Sequence, residues 1–297
     1  MTERIVRVGD VEIWSEELGD PADSPLLLVM GANTSAMGWP DELVALLVAG
    51  GHRVIRYDHR DTGRSTRRDF ATHPYDITDL ARDAIGLLDG YGIGAAHVVG
   101  ASLGGTIGQV LALDHRDRLR TLTVMITAAL DVDFVGNMKR AIAGQPSPDG
   151  LPTPDSRVLA LLAAQGGPAT DREAELARRV AVWRALAGTV LPFDPAEFRR
   201  LEERAIEHAG TLAPSTAHAL ATPVPLERGA ELGGITTPTL VIQGPEDPLN
   251  PPPHGRHLAE AIPGSRLVEI PGMGHALPSA VYRPLVEAIL THTREYP

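Results

Sequence analysis

Gly100-Ala101-Ser102-Leu103-Gly104 follows the apolar run Ala96-His97-Val98-Val99 and leads into a stretch whose Ile107, Val110 and Leu111 recur at helical spacing. A G-x-S-x-G string between a strand and a helix reads as a sharp turn that lifts a nucleophilic serine into the open. The serine of such a turn holds a strained backbone, and side chains two residues to either side would collide with it, which accounts for glycine at 100 and 104. The first turn of the helix then aims free N–H groups at the same place.

Two later segments supply what a serine needs. Asp247 closes Gly244-Pro245-Glu246-Asp247 after the strand-like Thr239–Gln243, and His275 closes Pro271-Gly272-Met273-Gly274-His275 after Leu267–Ile270. Ser, Asp, His, each just past a strand, is the chain order of an α/β-hydrolase triad. A hydroxyl is a weak nucleophile at neutral pH, so it needs a base in reach and an acid that fixes the tautomer of that base. His275 takes the first role and Asp247 the second; Glu246 is the rival acid, but the G-x-x-D spacing turns Asp247 toward the histidine and leaves Glu246 as a solvated neighbour. Backbone donors aimed at the developing oxyanion can each lower the barrier by roughly 3 kcal/mol. Leu103 N–H is one, and Ala32 N–H, just past the strand-like Leu26–Met30 and the tight turn allowed by Gly31, is the expected second.

Strand and helix patterns alternate around these loops. Gly9-Asp10 joins two short runs as an antiparallel hairpin, Leu26–Met30 and His52–Tyr57 read as buried strands, and Asp76 caps a helix whose apolar positions run from Ile77 to Leu88. The expected fold is α/β, a mostly parallel sheet flanked by helices. After Leu122–Ile126 the alternation breaks, and residues 131–230 show helical patterns with Pro and Gly breaks but no convincing strand, which predicts a helical cap between core segments 1–130 and 231–297. Asp194-Pro195-Ala196-Glu197 is a clean helix start, and Leu176, Val180, Trp183 and Ala187 form a stripe. Trp183 and Phe198 read first as packing between cap helices; Gly31, Asn33, Phe134 and Trp183 are the candidate substrate contacts.

Composition narrows the alternatives. A net charge of −11, without clustered Lys and Arg, argues against nucleic acid, and the absence of cysteine removes disulfides, thiolate metal sites and thiol nucleophiles together. His254 and His257 have an i, i+3 spacing that could hold a metal, but without a further ligand motif they read as a solvated helix face. No signal-peptide core and no run of 18 apolar residues is present, so a cytoplasmic protein with no membrane partner is expected, and a monomer suffices.

With these positions placed, the chain resembles the α/β-hydrolase superfamily and, within it, the anthracycline methylesterases of the aclacinomycin type. The likeness is carried by Glu3-Arg4-Ile5-Val6, Leu28-Val29-Met30-Gly31, Arg56-Tyr57-Asp58-His59-Arg60-Asp61-Thr62-Gly63-Arg64-Ser65, the elbow, and Ile270 through Ser279. It departs where Met30 replaces the histidine common before Gly31 in the wider superfamily, and where Ala32 and Leu103 stand for other residues; both donors are backbone amides, so the chemistry is unaffected. The resemblance implies Ser102, Asp247 and His275 as triad, Ala32 and Leu103 as oxyanion hole, no cofactor, and a glycosylated tetracyclic polyketide methyl ester as substrate. A proline iminopeptidase-like activity is the rival reading, with Glu202, Glu203 and Glu207 as amine-binding acids, although helix-surface charge accounts for them better. A ligand-binding protein on a retained hydrolase fold is the non-enzymatic one.

Overall fold

The computed structural model describes residues 2–164 and 171–297; residues 165–170, inside the expected cap, lie outside the described residues. Strands β1 (Thr2–Val8), β2 (Val11–Leu18), β3 (Ser24–Val29), β4 (His52–Tyr57), β5 (Ala96–Ala101), β6 (Leu119–Met125), β7 (Thr239–Gln243) and β8 (Arg266–Glu269) form one eight-stranded sheet in the order β1-β2-β4-β3-β5-β6-β7-β8. β2 pairs antiparallel with β1 and β4, and every other pairing is parallel. The apolar runs at 26–29, 98–101 and 239–243 become central strands because both sheet faces are covered by helices, so neither face needs polar alternation.

Helices α1 (Asp41–Ala49) and α9 (Ser279–Arg294) cover one face, where Leu43, Leu47, Leu285 and Ile289 meet Leu26, Leu28 and Val99. On the other face, α2 (Ile77–Gly90), α3 (Leu103–Asp114) and α8 (His254–Ala261) bring Leu80, Ile107, Val110 and Leu258 against Leu27, Val29, Val98 and Val241. The expected cap on α2 forms in full: Asp76 Oδ1 accepts from Asp79 N–H, and Asp79 accepts in return from Asp76 N–H.

Between β6 and β7 the described residues hold no strand. They form α4 (Phe134–Ile142), α5 (Ser156–Ala164), α6 (Arg172–Leu186), α7 (Pro195–Ala209) and two 3₁₀ segments, Ala217–Ala219 and Leu226–Gly234. Phe193 stacks on Phe198 at 4.7 Å and Trp183 on Phe198 at 5.6 Å, between α6 and α7. This apolar cluster also takes in Leu249 and Ala276, neighbours of Asp247 and His275, so it is continuous with the loops that carry them. Polar ties hold α7 to the core: Arg204 donates to Met37 O at 2.7 Å and pairs with Asp41, and Glu197 accepts from Ser279 N–H and Tyr282 OH.

Candidate active site

Ser102 sits at φ 53°, ψ −118°, a conformation that L-residues avoid, at the junction of β5 and α3. Its N–H bonds Met125 O at 3.0 Å, which seats the turn between the ends of β3 and β6. The reason for flanking glycines is sharper than collision with the serine: a Cβ on Gly100 would lie 2.1 Å from Gly104 O, and one on Gly104 would lie 2.0 Å from Val29 O. The obstacle is backbone, which cannot give way. Leu103 is the first residue of α3, so its N–H is one of the helix's free donors.

His275 Nδ1 lies 2.9 Å and 3.0 Å from the two oxygens of Asp247. Asp247 Oδ1 also accepts Leu249 N–H at 2.8 Å and Asn250 N–H at 3.0 Å. An ionised carboxylate can only accept, so Nδ1 carries the proton and Nε2 presents its lone pair. No hydrogen bond joins Ser102 Oγ to His275 among the described residues; such contacts are commonly long until a substrate seats. The acid loop is itself braced, since Asn250 Nδ2 donates to Ile126 O at 3.1 Å. Ile126 holds φ 49°, a rare conformation for a β-branched residue, at the end of β6 beside the site. Neither Asn250 nor Ile126 was marked by motif, because their part comes from contacts across the sheet.

Gly31 lies against the nucleophile: a Cβ there would be 3.4 Å from Ser102 Cβ. Ala32 is exposed, and its N–H meets no acceptor among the described residues. Asn33, at φ 60°, exchanges two hydrogen bonds with His218, N–H to Nδ1 at 2.9 Å and Oδ1 from His218 N–H at 3.1 Å. His59 Nε2 donates to Met30 O at 3.0 Å. Asp58, in the same turn, accepts Ala36 N–H, Arg64 N–H and His208 Nε2.

A small, partly open apolar cavity of about 20 Å³ adjoins His275, walled by Met30, Ile126, Trp183, Phe198 and Leu277 among others. Trp183 therefore both packs on Phe198 and faces the site. Phe134 is half-buried at the start of α4 and does not line this cavity.

Three polar residues, Glu246, Glu202 and His254, differ from their expected settings. Glu246 is half-buried and accepts from Thr189 Oγ1 at 3.0 Å, tying the loop after α6 to the acid loop instead of standing in solvent. Glu202 is buried, accepting Trp183 Nε1–H at 2.5 Å and Arg179 at 3.0 Å, because α6 packs over it; it is not a surface charge free to bind an amine. His254 is buried with Nε2 on Pro152 O, and His257 pairs with Asp131. The two rings serve separate partners, and the described residues contain no group of three or more metal-capable side chains. No described helix is long and apolar enough to cross a membrane.

Residues 24–278 match the model of the α/β hydrolase fold. The chain belongs to the α/β-hydrolase family. This hydrolase is 56% identical over 294 residues to the rhodomycin D methylesterase DnrP of Streptomyces peucetius, covering 99% of each chain. It is 55% identical, at the same coverage, to the rhodomycin D methylesterase DauP of Streptomyces sp. (strain C5). Among solved structures it is similar to a hydrolase from Pseudomonas aeruginosa PA01, with a TM-score of 0.68, 27% identity and 98% of each chain covered.

Proposed function

We propose that this hydrolase is an anthracycline methylesterase that cleaves the methyl ester of a rhodomycin D type polyketide glycoside in antibiotic biosynthesis, with Ser102, His275 and Asp247 as its triad. The observation that carries the reading is end-to-end identity above one half with two rhodomycin D methylesterases, in a chain that sets an Asp247–His275 pair beside a strained serine turn.

Ser102 Oγ attacks the ester carbonyl carbon while its proton passes to His275 Nε2, and Asp247 stabilises the imidazolium through Nδ1–H. Negative charge on the carbonyl oxygen is met by the Ala32 and Leu103 N–H groups. The intermediate expels methanol, which takes the proton from His275. Water then gives a proton to the same nitrogen as it attacks the acyl-enzyme, releasing the free acid and restoring the serine hydroxyl. No metal or organic cofactor enters these steps.

Residues 131–230 act as the lid over a core formed by 1–130 and 231–297. Pockets for drug-sized ligands run from about 300 to 1,000 Å³, so the small apolar cavity beside His275 has to widen for a tetracycle, with Trp183 and Phe198 moving together because they stack. Incubation with a panel of anthracycline methyl esters, followed by mass spectrometry for loss of the methyl group, tests reaction and substrate class together. Ser102→Ala and His275→Ala should each lower turnover by about 10⁴-fold or more; near-normal rates in either would refute the triad.

A further inference from the structure

Two buried histidines outside the triad hold the backbone on either side of Ala32. His59, two residues past β4, is fully buried and donates Nε2–H to Met30 O, the first carbonyl past β3. His218, from the segment returning from cap to core, is also buried; its Nε2 lies 3.0 Å from Arg60 O. A carbonyl only accepts, so Nε2 carries the proton and Nδ1 of the neutral ring is left as the acceptor for Asn33 N–H at 2.9 Å. The rings meet edge to face, 5.4 Å apart. Burial and each other's proximity keep His59 neutral, its pKa pushed down to about 3, and burial lowers His218 as well.

The peptide bearing Ala32 N–H is thus flanked by two peptides, each fixed by an imidazole. We infer that His218 is a positioning residue for the oxyanion loop: by accepting Asn33 N–H it sets where the Ala32 amide stands relative to Ser102, with His59 holding the opposite flank. The inference rests on the serine esterase reading. Its energetic basis is that a backbone donor displaced by about 1 Å can cost on the order of 10²-fold in rate, whereas ground-state binding of a large apolar substrate depends little on that amide.

The ring's two nitrogens can be tested apart. In His218→Asn the amide oxygen can occupy the place of Nδ1 and keep the acceptor for Asn33; in His218→Gln the longer side chain reaches the place of Nε2 and keeps the bond to Arg60 O. The assays are steady-state hydrolysis of an anthracycline methyl ester and of p-nitrophenyl acetate, and the rate of labelling by a small organophosphonate, alongside the thermal midpoint of each variant. Expected are a roughly 10- to 100-fold fall in kcat for His218→Leu and His218→Gln with KM within about threefold, a parallel fall in labelling, and recovery of most activity in His218→Asn. Wild-type kcat in folded His218→Leu, or a Gln variant as active as the Asn variant, would overturn the inference. Ser102→Ala separates the two levels: if it is inactive while His218→Leu is not, the positioning role alone falls, and if Ser102→Ala turns over normally the esterase reading falls with it.

Discussion

Replacing Asp247 by asparagine should cost about 10⁴-fold in kcat, and the reason lies in four hydrogen bonds. Leu249 N–H and Asn250 N–H both donate to Oδ1, at 2.8 Å and 3.0 Å. An amide at this position must keep its oxygen there, since turning NH₂ toward two N–H donors would lose both bonds. The NH₂ then takes the place of Oδ2, 3.0 Å from His275 Nδ1. Oδ1 also lies 2.9 Å from Nδ1, but its two lone pairs serve the Leu249 and Asn250 amides, so with NH₂ in the place of Oδ2 the imidazole shifts its proton to Nε2 and presents Nδ1 as the acceptor. That tautomer places a hydrogen, where a lone pair is needed, toward Ser102. In serine hydrolases with this relay the wrong tautomer lowers kcat by about 10⁴, equivalent to about 5.5 kcal/mol in the barrier. The assay is release of methanol from an anthracycline methyl ester at neutral pH. Glu246→Gln is the companion variant: Glu246 binds Thr189 and not the imidazole, so its loss should stay within about tenfold. An Asp247→Asn enzyme within tenfold of wild type, or a larger loss in Glu246→Gln, would refute the tautomer argument.

Further expectations concern the scaffold. Gly104→Ala should destabilise the fold by about 3 kcal/mol or more, because its Cβ would sit 2.0 Å from the Val29 carbonyl, whereas Gly94→Ala, with nothing within 4 Å, should change stability by less than about 1 kcal/mol; urea titrations compare them. Burial holds His59 and His97 at about 3, well below the ordinary histidine value near 6.5. The unfolded chain therefore takes up protons around and below pH 6.5 that the native state refuses, so this stability is complete about one unit above that pH and declines toward pH 3, by about 3 kcal/mol between pH 6.5 and 5 for the pair. Denaturation free energies that stay flat across that interval would contradict the burial argument.

The parts of this molecule that could be read from residue order are those governed by neighbours in the chain. β4 at His52–Tyr57 and β7 at Thr239–Gln243 form around the apolar cores Val54-Ile55 and Leu240–Ile242, and α2 begins where Asp76 can cap it. The serine turn was legible because it needs two glycines at fixed offsets, although what they avoid is the facing carbonyls of Gly104 and Val29. Charged residues were misplaced when burial came from a distant partner. Glu202 looks like a surface acid until α6 lays Trp183 and Arg179 over it, and Glu246 looks solvated until Thr189 arrives from 57 residues away. His218 carried no signal, since its meaning depends on Asn33, 185 positions earlier.

One contact links the end of α6 to the loop that carries His275. The carbonyl of Leu186, at the end of α6, receives His275 N–H at 2.6 Å, and Gly274 leaves no room for a Cβ, which would fall 2.4 Å from that oxygen. A few residues on, Thr189 grips Glu246 beside the acid. The aim of the imidazole therefore depends on where the end of α6 rests as well as on Asp247. Substitutions in α6, however remote from the ester, will then register as slower chemistry as well as weaker capture.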